Sequence, residues 1–523
     1  MNAPVRLAVL VLAGALQAAA IATPWSGQPA GWLQLLSLAA LVALLAPLRH
    51  AARGWRSALG QGWLFATAWL SGSFWWLFIS MHTYGGLPAP LAAIAVLALA
   101  AGLASYYAVA CAAWVRWAPA RPVGAAALFA ALWTLAELVR GSWFTGFPWG
   151  AGGYAHVDGV LAGYAPWLGA YGLGAVAALI AACVALALRP GTPGDRRRRA
   201  VALRHGVIGT GTLAVLALAA PWVLQALHGN AFTRSSGQLD VALLQGNIAQ
   251  DEKFIPNGGV AVALQWYGEQ LRDARASLVV TPETALPMLP QQLPPGYLEA
   301  IAQRYSAGEQ AALVGIPFVD GQRRYANRLL GFAPGAAPYS YDKHHLVPFG
   351  EFIPWGFRWF VHAMNIPLGD FSRGGLGQPV FNWRGQRIAP NICYEDLFGD
   401  EIGVGFRDAA SAPTILLNVS NIAWFGDTVA IDEHLSISRM RALEFQRPMV
   451  RATNTGATAV IDHTGRVTHM LPRLTRGVLE APVEGRDGLT PFAWWVSRFG
   501  LWPLWLAALA VVAVAIAAAR RQR

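Results

Sequence analysis

Ile388-Ala389-Pro390-Asn391-Ile392-Cys393-Tyr394-Glu395-Asp396 starts as a short apolar run and ends on a cysteine with two acids behind it. An apolar run of this length, closed by polar residues, reads as a strand buried in a sheet. Comparable runs flank it: Asp240-Val241-Ala242-Leu243-Leu244, Ser277-Leu278-Val279-Val280, Ala312-Leu313-Val314-Gly315-Ile316, Ile415-Leu416-Leu417-Asn418-Val419 and Ala457-Thr458-Ala459-Val460-Ile461. Helical patterns lie between them at 260–276 and 432–446. Strands alternating with helices predict an α/β architecture with central sheets, here one domain over 238–484.

Three segments of this region end a β-like run on a chemically capable residue. Val279-Val280-Thr281-Pro282-Glu283 presents Glu283, Tyr341-Asp342-Lys343 presents Lys343 with Glu351 further on, and Ile392 leads into Cys393. Loops at strand ends are held by a rigid scaffold, so catalytic groups collect there. A thiolate is a strong nucleophile at neutral pH. Glu283 can take the thiol proton and return it to a leaving group. A lone carboxylate is a weak base, so burial or a second carboxylate, Glu351 or Glu395, is expected to raise its pKa. Lys343 and a backbone N–H after Cys393 could hold an oxyanion. On spacing alone the plainer alternative stays open, a packing cysteine and two surface charges. His344 and His345 are adjacent and would face opposite ways on a strand, a poor metal pair. No metal and no cofactor are expected.

The rest of the chain is apolar. Hydrophobic residues make up 55% of the 523 and charged residues 13%, about half the charge of an ordinary soluble domain. Eight runs have the roughly 20 apolar residues a bilayer-spanning helix needs, near 4–23, 31–48, 59–80, 88–112, 123–140, 162–188, 205–227 and 494–519. The first could pass for a signal peptide, but another apolar run follows at once, so it reads as a retained span. The domains expected are therefore a seven-helix membrane region at 1–230, the α/β domain, and a last span at 494–519. The formal charge of +11 could suggest nucleic acid. Its arginines, however, sit in short loops after the second, fourth and sixth runs: Arg49, Arg53 and Arg56, then Arg116 and Arg121, then Arg189 and Arg196 to Arg199, with Arg520, Arg521 and Arg523 in the tail. Such loops orient membrane proteins. Arg140 is the exception. The pattern puts both termini in the cytoplasm and the α/β domain outside. Of three cysteines, Cys111 and Cys183 lie in apolar runs, so Cys393 has no disulfide partner in its domain.

Three aromatic pieces could shape access from a membrane. Gly141-Ser142-Trp143-Phe144-Thr145-Gly146-Phe147-Pro148-Trp149-Gly150 is either an interfacial belt or the wall of a lipid entry, with Phe147 and Trp149 as substrate contacts. The stretch 352–360, Phe-Ile-Pro-Trp-Gly-Phe-Arg-Trp-Phe, could dip into the interface as an arm. Trp424-Phe425 could line an acyl pocket or pack in the core.

At these residues the sequence resembles the nitrilase superfamily, whose members carry a Glu–Lys–Cys triad in an αββα sandwich. Glu283, Lys343 and Cys393 match that triad in order, and Glu351 matches a second glutamate of many members. Over nearly its whole length the chain is similar to one branch, the apolipoprotein N-acyltransferases. The motifs are Thr145-Gly146-Phe147-Pro148-Trp149, Gln245-Gly246-Asn247-Ile248, Thr281-Pro282-Glu283, Val347-Pro348-Phe349-Gly350-Glu351, Cys393-Tyr394-Glu395 and Trp424-Phe425-Gly426. A tryptophan common after Gln-Gly-Asn-Ile stands here as Phe254, which keeps an aromatic but loses the indole N–H. The resemblance implies a bacterial inner-membrane, multi-pass enzyme with a periplasmic catalytic domain. Its acyl donor is the sn-1 chain of a phospholipid, usually phosphatidylethanolamine, and its acceptor a diacylglyceryl-modified apolipoprotein. Tyr394 and Glu395 become supporting residues and Phe254, Trp424 and Phe425 substrate contacts; a monomer is expected. A membrane-anchored hydrolase of small amides and a transporter with an outer binding domain are the rivals. Eight runs are more than an anchor needs, and few buried charges (Glu137 and Arg140, one turn apart) mark a transport path.

Overall fold

The computed structural model describes residues 2–188, 196–228, 232–319, 324–354, 356 and 371–521. The chain divides into two compact units: Met1–Trp75, Pro90–Gly229 and Leu501–Arg523 form one, Trp76–Ala89 and Asn230–Gly500 the other.

The first unit is helical. Among the described residues five helices are long and apolar enough to cross a bilayer: Gly31–His50, Ala89–Trp117, Pro122–Thr145, Val160–Ala187 and Trp502–Arg521. Eight full spans are not seen. Ala3–Ala18 and Ile208–Leu224 are apolar but shorter. The third expected span breaks, because Gly54–Ser73 and Leu77–Tyr84 meet at 64°. The break follows Ser71-Gly72-Ser73, the small-residue type at which helices kink. The last expected span, 494–519, is two helices. Pro491–Phe499 buries Phe492, Ala493 and Val496 in the second unit's core, and Gly500 ends it at φ 54° before Trp502–Arg521 begins. Gly14 shows why small residues recur in this unit: a Cβ there would lie 2.5 Å from the Phe65 carbonyl oxygen, so glycine lets two helices touch backbone to backbone. Arg189 lies outside the described residues, as do 355 and 357–360 of the expected arm.

The second unit is a sandwich. Its strands are β1 (Thr233–Gln245), β2 (Leu278–Val280), β3 (Ala311–Val319), β4 (Tyr325–Phe332), β5 (Tyr339–Asp342), β6 (Phe381–Trp383), β7 (Gln386–Ile392), β8 (Ile415–Ser420), β9 (Met449–Thr453), β10 (Ala459–Ile461), β11 (Val467–Met470) and β12 (Gly477–Gly488). They form two six-stranded sheets, β12-β1-β2-β3-β4-β5 and β11-β10-β9-β8-β7-β6. The centre of each is parallel, β1-β2-β3 and β7-β8-β9, with antiparallel strands outside. Side chains alternate across a strand, and both faces are used here. Val241 and Leu243 of β1 meet Leu417 and Val419 of β8 between the sheets. Ala242 and Leu244 turn instead to helices Ala261–Asp273 and Tyr297–Ala307. Leu416 and Met449 turn to helix Ala430–Phe445 and to Phe492. Burial on both faces is why the strands read as continuous apolar runs. The αββα layering expected from the resemblance is what forms.

Candidate active site

Three strand ends deliver the three expected residues, two from the parallel centres of the sheets and one from the edge strand β5. β2 stops at Val280, and Thr281-Pro282 turns the chain so that Glu283 follows. β5 stops at Asp342, immediately before Lys343. β7 stops at Ile392, and Cys393 opens a short turn, Cys393–Leu397, at φ 54°. Left-handed backbone is costly for a residue with a Cβ and clusters at functional sites. The turn is held from below: the Cys393 carbonyl accepts from Asn418 Nδ2 at 3.1 Å and lies 3.3 Å from His434 Nε2. His434 rests in turn against Asp396 at 2.9 Å, and Asp396 pairs with Arg451 at 3.3 Å, all fully inside the protein.

Lys343 is 1% exposed, and its Nζ lies 3.2 Å from Glu283 Oε1 and 2.9 Å from Glu351 Oε1. Asn327 Nδ2 donates to the same two oxygens, at 2.6 and 3.2 Å. The Asn421 N–H reaches Glu283 Oε2 at 2.8 Å, and the Val347 N–H reaches Glu351 Oε2 at 2.8 Å. Every carboxylate oxygen of the pair therefore has a donor. Burial pushes the Glu283 carboxyl upward, but Lys343, the Asn421 N–H, Lys253 and Asn327 together outweigh it. Glu283 therefore sits below the ordinary Glu value, the reverse of the expected rise. Burial lowers Lys343 too, yet Glu283 and Glu351 hold it well above the usual lysine value, so it stays an ammonium. The half-buried Cys393 thiol is pushed up to about 12, chiefly by burial and then by the Glu283 charge, against the opposing pull of Lys343. The resting site is a protonated sulfur beside a carboxylate and a fixed cation.

Glu395, expected to tune Glu283, does something else. Its Oε1 accepts the N–H groups of His344 (2.6 Å) and His345 (3.0 Å), and its Oε2 accepts Ile392 N–H (2.6 Å) and Tyr341 O–H (2.9 Å). One buried carboxylate thus staples the cysteine turn to the lysine loop. Burial raises its pKa, against the opposing N–H bonds of Ile392 and His345. Glu395→Gln would present an amide NH₂ to two of these donors. It is expected to cost about 3 kcal/mol, by the penalty for unmatched buried groups, and to lower the melting temperature of the purified protein.

The helical region matches the family model described as apolipoprotein N-acyltransferase N-terminal domain over residues 13–183, and the sandwich matches carbon-nitrogen hydrolase over 240–486. A protein from Verminephrobacter eiseniae named apolipoprotein N-acyltransferase is 58% identical over 94% of this chain and 92% of its own. The chain belongs to the apolipoprotein N-acyltransferase family. A second relative of that name, from Ralstonia nicotianae, is 48% identical over 94% of this chain and 90% of its own. Among solved structures, a CN-hydrolase superfamily protein from Xanthomonas campestris is similar at 20% identity and a TM-score of 0.35, over 47% of this chain and 91% of that one.

The remaining expected residues divide. Tyr394 is buried beside Phe398 and His345, with ring centroids 5.3 and 5.7 Å away, and packs the turn. Phe254 (55%) and Trp424 (39%) are exposed aromatics of the sandwich unit, open to a ligand. Phe425 is half-buried, its ring 4.2 Å from that of Trp76. Trp149 is 3% exposed inside the helical unit, and Arg140 is committed to the Trp149 and Phe147 carbonyls and the Tyr107 hydroxyl. Trp149 is therefore a packing residue rather than a free surface. Phe147 packs edge-on to Phe74 at 5.2 Å. In their loop it is Trp143 and Phe144 that are exposed. The sequence reading missed Asn327, Lys253 and His434 outright. Asn418 stood within a quoted run, and a polar residue inside an otherwise apolar strand was the available signal for it; Asn421, two residues beyond that run, was missed too.

Proposed function

We propose that this chain is a phospholipid-dependent N-acyltransferase working through a thioester on Cys393. Cys393 Sγ attacks the sn-1 ester carbonyl of a phospholipid such as phosphatidylethanolamine while Glu283 takes its proton. Lys343 and the backbone N–H after Cys393 stabilise the oxyanion. The ester C–O bond then breaks, Glu283 returns the proton to the glycerol oxygen, and lysophospholipid leaves. The α-amino group of a diacylglyceryl-cysteine at an apolipoprotein's N-terminus next attacks the thioester carbonyl. Glu283 accepts the amine proton, the C–S bond breaks, and the proton goes back to sulfur. The product is an N-acylated lipoprotein and the free thiol.

The observation that supports this reading best is Lys343 bridging Glu283 and Glu351 on the strand-end loops beside Cys393, in a chain with five bilayer-length apolar helices among its described residues. The reading places the catalytic domain, 238–484, on the periplasmic side of a bacterial inner membrane. Both termini lie in the cytoplasm, and the enzyme works as a monomer.

Mixing the purified protein with vesicles of phosphatidylethanolamine deuterated in the sn-1 chain is expected to add one labelled acyl group at Cys393. Mass spectrometry of the cysteine peptide reads it, and an apolipoprotein with a free diacylglyceryl-cysteine discharges it. An adduct formed from small amides and never from lipid would reassign the chain to amide hydrolysis.

A further inference from the structure

The turn after β1 inverts the usual rule of burial. Lys253 is 2% exposed while its neighbour Phe254 is 55% exposed. Lysine is among the side chains least often fully buried, and phenylalanine among those most often buried. The backbone is built for the inversion. The Gly259 N–H donates to the Glu252 carbonyl at 3.1 Å, and a Cβ at 259 would lie 2.5 Å from that oxygen and 2.9 Å from the Lys253 Cα. Only a glycine lets the chain double back this closely and drive residue 253 inward.

Inside, the Lys253 ammonium donates to the Glu283 backbone carbonyl at 3.3 Å. The titratable groups it faces are Glu283 on the loop after β2 and Cys393 after β7; Asp251 and Glu252 on its own segment are exposed. Lys343 alone would leave the buried cluster with one positive charge against the two negative charges of Glu283 and Glu351. Such an excess disfavours any further negative charge on the sulfur. Counted over Glu283, Glu351 and the two lysines, Lys253 brings the sum to zero, and it stays zero when the thiol proton moves to Glu283; the next buried groups coupled to them, Glu395 and Arg451, are of opposite sign.

We propose that Lys253 is a positioning residue of the active centre, a second buried cation that balances the Glu283–Glu351 pair, favours the Cys393 thiolate and pins the Glu283 loop by its carbonyl. The identity of the acyl donor rests on the reading above; the charge argument concerns the sulfur alone. Burial brings Lys253 down to about 8 against the raising influence of Glu283 and Cys393. Above that pH the cluster carries an uncompensated negative charge, and the sulfur loses its help.

Labelling of Cys393 with iodoacetamide in the full-length protein, the adduct located by mass spectrometry, reads the thiolate without any lipid. Lys253→Met is expected to slow labelling at pH 7 about tenfold, one pKa unit's worth, with the gap to wild type closing as pH rises past about 8. Lys253→Arg, charged throughout, is expected to match wild type at pH 7 and outrun it at pH 9. A Met variant with wild-type rates and pH profile would overturn the assignment. If neither variant folds, wild type decides, since labelling that climbs tenfold per pH unit from 7 to 10 without a break would overturn it equally. Unchanged labelling removes only this role of Lys253, whereas labelling as expected with no lipid-derived thioester removes only the acyl-transfer reading.

Discussion

Cys393→Ala is expected to abolish acyl transfer, by on the order of 10⁴ or more in rate, as when the nucleophile of a concerted site is removed. The protein should fold normally. The side chain is half-buried at the rim of the inter-sheet core, so its loss opens little space, and alanine inherits the same left-handed backbone. Cys393→Ser should be nearly as inactive. A site that holds a thiol at about 12 holds a far less acidic hydroxyl beyond the reach of Glu283. Transfer of labelled acyl chain to a lipoprotein acceptor, with a melting curve on the same preparation, checks both. Turnover by the alanine variant within tenfold of wild type would move the chemistry away from this residue.

Lys343→Met should damage both activity and stability. Removing the ammonium leaves Glu283 and Glu351 facing one another through Asn327, with no counter-charge at 2.9–3.2 Å. Breaking a buried pair from one side typically costs about 3–5 kcal/mol. Losing a preorganised oxyanion partner costs about 10²–10³ in rate. The pH dependence separates this from a simple packing defect. In the wild type Glu283 lies below its unfolded value, so its contribution is present above that value and is lost as pH falls through the folded one. In the methionine variant the largest lowering influence is gone and protonation relieves repulsion. The stability gap should therefore be widest at neutral pH and narrow on acidification through the carboxylate range. Denaturant melts at several pH values read this, and a gap independent of pH would contradict the charge assignment.

The sandwich was legible because both faces of its sheets are covered, which turns each central strand into an unbroken apolar word. Glu283 and Cys393 were legible because each stands one to three residues past such a word, whereas Lys343 follows the polar edge strand Tyr339–Asp342 and stood out by its place in the order of the triad. Their helpers were not. Asn327 sits 44 residues from Glu283, and Asn421 reaches that carboxylate through its backbone N–H, which no side-chain pattern announces. Lys253 looks like any solvated lysine until the turn at Gly259 folds it inward. Hydropathy misjudged the helices for a related reason. It registers that Phe492 and Val496 are apolar but not that they pack on Phe445 and Phe406 rather than on lipid. It also passes over the Ser-Gly-Ser break after which Trp76 packs tilted against Phe425 and donates to Glu433 at 3.1 Å.

The left-handed twist at residue 393 makes the reactive atom a sprung part, its backbone kept in place by groups that touch no substrate. Asn418 and His434 grip the one carbonyl whose release would let the peptide relax. Damage at either would aim the sulfur elsewhere and also strand buried partners, Asn391 beside Asn418 and Asp396 beside His434, so turnover should fall further than the lowered melting temperature alone accounts for. Tolerance of change in this family should accordingly be narrower beneath the nucleophile than around its rim.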